Sequence, residues 1–347
     1  MSERRRITIH DVARECQLAL STVSNALAGK PHVSEKTRQL VQETAERLGY
    51  RASAVARSLR TQRSSTIGVL MADVANPSFP DFVRGIEDVV VREHCTLLLC
   101  NTDGSEEKQV RHMHMLLDRQ VDGIVLISQH CASPPVRALL DGGPPFVLIQ
   151  RRSLAHADDY VGSDNRSAIT GAVEHLAGLG HRRIGLIHGP LESTTAVERL
   201  ETYRAAVARL KLDDDPELIF PGDYNTESGY RAGVMMLTAD QRPTAIMASN
   251  DLNAMGVIEA AHELKISIPD ALSVVGFDDI ALASFRRIDL TTIHLPKRDM
   301  GAAAAELLMK RLHGAKRSAP PREIIFPTRL VVRGSTGPAK AGRAVAA

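Results

Sequence analysis

At 347 residues the chain is too long for one ordinary domain, and 44% hydrophobic and 24% charged residues are typical of a globular protein. No segment approaches the ~18 consecutive apolar residues of a membrane span, and the first ten residues lack the apolar core of a signal peptide, so we expect a cytoplasmic protein. The net charge is only +2, but residues 1–65 hold 12 Lys and Arg against 6 Asp and Glu. This basic head predicts contact with phosphates.

The residues that could support catalysis or bind metal do not form a recognisable pattern. The four cysteines show no CxxC spacing, so we interpret them as buried reduced thiols. His112 and His114 are two positions apart on a predicted helix and point to different faces. There is no HExxH, P-loop, GxGxxG or nucleophile-elbow motif. We therefore expect neither enzyme activity nor a cofactor.

Three short helices are predicted in the first 50 residues. Thr8 and Asp11 form a capping-box pattern at the start of the first helix. A break near residues 16–18 precedes a second helix over 20–27, and Ser34-Glu35-Lys36-Thr37 opens a third helix that ends before Gly49. Two short helices joined by a tight turn predict a helix-turn-helix, whose second helix lies in the DNA major groove.

The exposed start of the second helix carries the side chains suited to base contact. Leu20, Ser21 and Asn25 would face base edges, and Asn can bond adenine through two hydrogen bonds. Thr22 and Ser24 are better placed to anchor phosphates, which position the helix without reading sequence. The alternative is a small helical bundle with no role in DNA binding.

From Thr66 onward, short β-rich runs alternate with amphipathic helical stretches. Continuous apolar strands between helices predict parallel sheets that are covered on both faces. There are too many units for one modest sheet, and residues 158–166 offer a polar crossing, so we predict two Rossmann-like lobes with a ligand cleft at the carboxyl ends of the strands. The predicted strands cover residues 67–71, 96–100, 123–127, 146–149, 184–187, 245–248 and 274–277. The predicted helices include residues 79–93, 106–119, 166–179, 197–210, 227–238 and 251–264.

At this point the chain resembles the LacI/GalR family of bacterial repressors over roughly residues 7–335. The matching elements of the head are Asp11-Val12-Ala13, Thr22-Val23-Ser24, Val33-Ser34, Thr37-Arg38 and Leu48-Gly49-Tyr50. Those of the body include Val121-Asp122-Gly123-Ile124, Gly180-His181-Arg182-Arg183-Ile184-Gly185, Asn250-Asp251 and Val274-Val275-Gly276-Phe277-Asp278-Asp279. The resemblance implies an all-α head with a hinge helix, followed by a two-lobed α/β domain like that of periplasmic binding proteins.

The resemblance also implies a domain plan: a helix-turn-helix over 1–50, a hinge helix and linker over 51–65, and an effector and dimerisation domain over 66–335. We expect a disordered tail over 336–347. In a homodimer, paired hinge helices would push the Leu59 side chains into the minor groove and kink the duplex. The expected DNA contacts are Thr8, Leu20, Ser21, Thr22, Ser24, Asn25, His32, Ala56 and Leu59.

Two residues of the head depart from the family pattern. The turn commonly contains Gly where this chain has Gln17, and the second helix commonly begins with a Ser or Thr cap where it has Ala19. Loss of such a cap costs about 1 kcal/mol. We expect these changes to affect the choice of operator more than the fold.

Polar residues follow several predicted strands and would surround the cleft. The resemblance places Asp164, Arg199, Asn250 and Asp278 at effector-contacting positions, and such a set suits the hydroxyl groups of a sugar. Arg151 follows a strand and could meet a sugar acid or a phosphate; the alternative is a plain surface charge. The expected effector contacts are Asp73, Phe79, Arg151, Asp164, Thr195, Arg199, Tyr224, Asn250 and Asp278.

Together these features predict a regulator, most simply a repressor, that binds a roughly palindromic duplex as a homodimer under the control of a sugar or sugar acid. A purine corepressor is the alternative, because residues 189–195 and 222–224 resemble purine-responsive members of the family; Ser193, however, stands where those have an effector-binding arginine. A sugar-binding protein without a DNA role is a distant alternative. The sign of control and the effector itself stay open.

Overall fold

The structure, a computed structural model, describes residues 7–50, 63–314 and 319–339. It divides into a head that ends at Ser64 and a body that begins at Ser65, and each is considered by itself. The predicted hinge helix, with its expected DNA contacts Ala56 and Leu59, lies outside the described residues.

The head contains the three predicted helices, α1 (Ile9–Cys16), α2 (Leu20–Leu27) and α3 (Glu35–Leu48). They pack around fully buried valines, since Val12, Val23 and Val41 each expose 0% of their surface. The Thr8 N–H donates to Asp11 Oδ2 at 2.9 Å, which is the predicted capping interaction at the start of α1.

The body is an α/β domain whose elements alternate along the chain. Its strands and helices are β1 (Thr66–Met71), α4 (Phe79–Val90), β2 (Thr96–Asn101), α5 (Glu106–Asp118), β3 (Gly123–Ile127), α6 (Pro134–Asp141), β4 (Phe146–Ile149), β5 (Tyr160–Ser163), α7 (Asn165–Gly178), β6 (Ile184–His188), α8 (Thr194–Leu210), β7 (Ile219–Pro221), α9 (Thr226–Leu237), β8 (Ala245–Ala248), α10 (Asp251–Glu263), β9 (Ser273–Asp278), β10 (Thr291–His294), α11 (Lys297–His313), β11 (Glu323–Phe326) and β12 (Arg329–Val331).

These strands form two six-stranded sheets, one in each lobe. The first sheet has the order β11-β5-β4-β3-β1-β2 and the second the order β12-β10-β9-β8-β6-β7. All pairs are parallel except β12 with β10, and helices cover both faces of each sheet. Burial on both faces explains why the central strands are continuous apolar runs. The predicted two-lobed architecture is confirmed.

The chain passes between the lobes three times, whereas the sequence predicted a single crossing. It leaves the first lobe after β5, returns after β10 to place α11 and β11 on the first sheet, and crosses again before β12. Close packing seats α11 against α4: a Cβ added at Gly85 would lie 1.9 Å from the Arg298 carbonyl oxygen, and one at Gly301 would lie 2.1 Å from the Phe82 carbonyl oxygen. Only glycine permits this approach of the two helices.

The end of the described chain corrects one expectation. Residues 336–339, which we predicted to be disordered, pack on the second lobe. The Thr336 hydroxyl bonds with the His175 ring at 3.0 Å, and the Ala339 N–H donates to the Leu179 carbonyl at 2.8 Å. Their partners are backbone and buried polar groups, which an apolar pattern does not reveal.

No helix within the described ranges is long and apolar enough to cross a membrane.

Candidate functional site

The start of α2 forms an exposed surface on the head. Leu20 exposes 40% of its surface and Ser21 is exposed, while Asn25, Thr22 and Ser24 are half-buried along the same short helix. An exposed leucine and a neighbouring hydroxyl group at the start of a helix are suited to contact the edges of base pairs in a DNA groove. Thr8 and His32 are also exposed, and the Thr8 hydroxyl already donates to Asp11 Oδ2 at 2.8 Å.

The turn before α2 accommodates both departures from the family pattern. Gln17 adopts a left-handed conformation with φ 54°, the region that favours glycine. The Leu18 N–H donates to the Ala13 carbonyl at 3.0 Å and closes the turn despite the larger side chain. Ala19 supplies no side-chain hydrogen bond to α2, as its residue type requires. The helix-turn-helix geometry is therefore retained without either favourable residue.

A cavity of about 600 Å³ lies between the two lobes of the body. Its walls are the loops that follow the carboxyl ends of β1, β2, β3 and β4 in the first lobe and of β6, β7, β8 and β9 in the second. Such a volume and position are typical of small-molecule sites in open α/β folds. Eight of the nine expected effector contacts line it: Asp73, Phe79, Arg151, Thr195, Arg199, Tyr224, Asn250 and Asp278.

Arg199 is held firmly in the wall formed by the second lobe. Its Nε donates to Asn165 Oδ1 at 2.8 Å and its Nη1 donates to the Ser249 carbonyl at 3.1 Å. The guanidinium carbon lies 3.4 Å from the centroid of the Phe277 ring, a cation–π contact. Burial lowers the pKa of Arg199, while Tyr224 and Asp278 act in the opposite direction. The group stays charged, because arginine is not deprotonated in proteins.

Asp278 lies at the end of β9 in a strained conformation, with φ 113°. Lys297 Nζ donates to the Asp278 carbonyl oxygen. Burial raises the pKa of Asp278, and the charges of Lys297 and Arg199 oppose that rise. A carboxylate held beside a guanidinium provides both an acceptor and a donor to a ligand hydroxyl.

Asn250, Tyr224 and Thr195 are joined to their surroundings by hydrogen bonds. Asn250 Oδ1 accepts the Asn253 N–H at 2.9 Å and caps α10, while its Nδ2 donates to the Tyr224 carbonyl at 2.9 Å. Tyr224 has φ 57°, and the Thr195 hydroxyl bonds with Ser193 Oγ at 2.8 Å. Asn250 therefore positions the tyrosine loop as well as lining the cavity.

The wall formed by the first lobe contains Asp73, Phe79 and Arg151. Asp73 Oδ1 accepts the Ala75 N–H at 2.9 Å, and Phe79 is nearly buried at the start of α4. Arg151 differs from both, because its buried Nε has no hydrogen-bond partner among the described residues.

Asp164 does not line the cavity, and its expected contact with the effector stays a prediction. Its Oδ1 accepts the Ser167 N–H at 3.0 Å and caps α7, which holds the pKa of Asp164 below its usual value. The Asp164 N–H donates to the Phe326 carbonyl at 2.9 Å. These bonds attach Asp164 to the segment where the chain crosses between the lobes.

Several residues that line the cavity were not predicted, although most follow a predicted strand directly. A rule that takes the first three residues after every strand would have found most of them. Glu192 gave no such signal, because it lies four residues after the end of β6. The additional lining residues include Asp103, Ser128, His130, Gln150, Glu192 and Ser249.

Both units match known families. Residues 8–53 match the family described as bacterial regulatory proteins, lacI family, and residues 173–336 match the periplasmic binding protein-like domain. Catabolite control protein A of Priestia megaterium is 34% identical over 331 residues, which cover 95% of this chain and 99% of that protein.

Solved structures show the same architecture. The lac repressor dimer bound to operator and the anti-inducer ONPF matches with a TM-score of 0.86 and 26% identity, over 96% of this chain and 100% of that chain. A complex of the transcriptional regulator CelR with cellobiose matches with a TM-score of 0.72 and 28% identity, over 95% of this chain and 100% of that chain. With a helix-turn-helix head, a two-lobed body and a full-length relative of this identity, the chain belongs to the lacI family of bacterial regulatory proteins.

Proposed function

We propose that this regulator binds a roughly palindromic operator as a homodimer and that a sugar or sugar acid in the cavity changes its affinity for that operator. The observation that carries the proposal is the cavity of about 600 Å³, lined by Arg199 and Asp278, in the same chain as an exposed helix-turn-helix. A dimer is required because one recognition helix reads too few base pairs for specificity. Binding to a bacterial operator would place the protein in the cytoplasm, and no catalytic step is proposed.

The position of the cavity supports coupling between effector and operator. Its walls belong to different lobes, which three chain crossings join. A ligand that contacts both walls favours one angle between the lobes, so its binding free energy differs between two conformations. Residues 51–65 connect the body to the head, so a change in that angle would reach the head through them. By linkage, operator and effector must change each other's affinity by the same factor.

The polar residues of the second wall favour a polyhydroxylated effector over a purine. Arg199 and Asp278 together offer donors and acceptors to several hydroxyl groups. Ser193 is buried and bonded to Thr195, and it stands where purine-responsive members of the family have an arginine. The CelR complex with cellobiose supports the same class of effector. A purine corepressor is the alternative effector, and the binding experiment below includes purines to test it.

The proposal is tested by operator selection with the full-length protein, followed by fluorescence anisotropy with and without sugars, sugar acids and purines. We expect a selected palindrome to bind and one sugar-class compound to change its Kd. Ser21→Ala should weaken operator binding about tenfold, since one base contact contributes about 1–3 kcal/mol. The effector affinity should not change.

Gln42→Ala is the matched control, because Gln42 is an exposed, uncharged side chain on α3 of the same head. It should leave operator binding unchanged. A chain that selects no duplex under any of these compounds would contradict the proposal, and a response to purines alone would favour the alternative.

A further inference from the structure

Arg151 is a largely buried cation that no described residue neutralises. It follows β4 and lines the cavity from the first lobe. Its Nε is shielded from solvent without a hydrogen-bond partner, and the described residues accept no side-chain hydrogen bond from it and form no ion pair with it.

The neighbouring arginine does have partners, so an unpaired guanidinium is not a general feature of the arginines in this lobe. Arg152 pairs with Glu323 and stacks over the Tyr160 ring at 5.3 Å. Arg137 is similarly satisfied, because Asp158 accepts from its Nη1 at 2.9 Å. Of these three arginines, only Arg151, which faces the cavity, has no partner among the described residues.

An unpaired buried guanidinium is costly, since a charge loses its hydration when it is buried. Burial lowers the pKa of Arg151, while Tyr224, Cys131 and Glu192 act in the opposite direction. Glu192 also lines the cavity, but it forms no ion pair with Arg151 among the described contacts. The protein therefore holds a positive charge toward the cavity with no fixed partner.

The chemistry of arginine indicates which group would complete this site. Its planar fork binds carboxylate and phosphate oxygens through two parallel hydrogen bonds. Ser128, at the end of the neighbouring strand β3, lines the same wall and offers a further hydroxyl donor. The remaining wall carries carboxylates, among them Asp73, Glu192 and Asp223, which repel a second anion.

We propose that the effector is a sugar derivative with one anionic group, a carboxylate or a phosphate, which binds Arg151 while its hydroxyl groups bind Arg199 and Asp278. This inference rests on the proposed function, because it names the class of effector for the same cavity. A carboxylate and a phosphate would both accept two parallel hydrogen bonds from the Arg151 guanidinium, and the experiment below distinguishes between them.

The test is titration calorimetry of the full-length protein with matched neutral and anionic sugars: glucose with gluconate, glucuronate and glucose 6-phosphate, galactose with galacturonate, and ribose with ribose 5-phosphate. We expect one anionic compound to bind about tenfold to a hundredfold more tightly than its neutral partner, which is the usual effect of a hydrogen-bonded charge. Binding by the acids alone identifies a carboxylate, and binding by the sugar phosphates alone identifies a phosphate.

Two variants assign the preference to Arg151. Arg151→Met should abolish the preference for the anion, and Arg151→Lys should retain part of it as a point charge. The matched control Arg152→Met removes an adjacent arginine that is paired outside the cavity, and it should leave the preference unchanged. Residual binding of the neutral sugar by Arg151→Met shows that the cavity is still folded.

Equal binding of neutral and anionic sugars by the wild type would overturn the inference, as would binding of no anionic compound or an unchanged preference in Arg151→Met. A neutral sugar that binds at least as tightly as its anionic counterparts and alters operator affinity would overturn the inference alone and leave the proposed function standing. An anionic sugar that depends on Arg151 but leaves operator affinity unchanged would support the inference and contradict the proposed function.

Discussion

Arg199 and Arg151 face the same cavity from opposite lobes, but the protein satisfies only the first of them. Arg199 bonds Asn165 and Ser249 and stacks on Phe277, whereas Arg151 has a buried Nε without a partner among the described residues. The wall of the second lobe is therefore organised before any ligand arrives. The wall of the first lobe contains a charge that pairs with no described residue.

This difference has a consequence for the stability of the ligand-free protein. Removing a satisfied buried cation breaks a network, while removing an unsatisfied one relieves a desolvation cost. The two walls should therefore respond to mutation with opposite signs.

The largest effect is expected for Arg199→Ala. It leaves the Ser249 carbonyl without its Arg199 donor and Asn165 Oδ1 with only a long bond from Ser163 Oγ, and it removes one of the two cations near Asp278, so we expect a loss of about 3–5 kcal/mol in the free energy of unfolding. Effector affinity should fall at least about thirtyfold, as for a residue at the centre of a binding site. Urea unfolding without ligand measures the first effect and calorimetry the second.

Arg209→Ala is the matched control on the same helix, α8. Arg209 is about half exposed and pairs with Glu174 at 2.7 Å on the surface, so its loss should cost less than about 1 kcal/mol. Equal destabilisation by both variants would show that the hydrogen bonds around Arg199 contribute no more to the free energy of unfolding than a surface ion pair does.

A smaller effect, dependent on pH, should come from Asp251 beneath the same wall. Its carboxylate accepts the Ile280 N–H at 2.8 Å and the Thr292 hydroxyl, which hold the loop that presents Asp278. Burial and the nearby Asp278 charge raise the pKa of Asp251 from 3.8 to about 7, against the opposing effects of Thr292, Ile280 and Lys297. Between these two values the folded state binds more protons than the unfolded state, so stability falls as the pH rises.

From pH 5 to 6.5 this loss should amount to about 2 kcal/mol, at about 1.4 kcal/mol for each unit. Asp251→Asn cannot ionise and should lack this part of the pH dependence, while the buried His181, whose pKa burial lowers, titrates in both proteins. Urea unfolding of both proteins at several pH values measures the difference. Parallel curves would mean that Asp251 is already ionised in the folded protein at pH 5.

The fold could be predicted where burial leaves a simple pattern. The central strands are apolar on both faces, so β1, β3, β4 and β8 were found with bounds correct to one residue. The edge strands β7, β11 and β12 are half exposed and have no such pattern. β10 contains Thr291 and Thr292, which are fully buried because hydrogen bonds satisfy their hydroxyl groups. The sheet to which a strand belongs depends on distant residues, which explains the two crossings that the sequence did not reveal.

The candidate site was easier to predict than the fold around it. Parallel strands bring their carboxyl ends to one edge, so polar residues after different strands meet there even when they are distant in sequence. This rule alone reaches Asp73, Arg151 and Asn250. It fails for Asp164, which follows β5 but lies on a crossing segment. Whether Arg151 has a partner could not be predicted, because pairing depends on side-chain positions rather than on residue type.

The smallest expected effect provides the sharpest distinction between the walls. Arg151→Met keeps most of the side-chain volume and removes the unpaired charge, so the ligand-free protein should be more stable by about 1 kcal/mol, opposite in sign to Arg199→Ala. Arg152→Met is again the control, and it should be neutral or slightly destabilising because it breaks the pair with Glu323. Urea unfolding without ligand measures all three variants under the same conditions. If Arg151→Met destabilised the protein as Arg199→Ala does, Arg151 would have a partner within the chain, and the first wall would be as complete as the second.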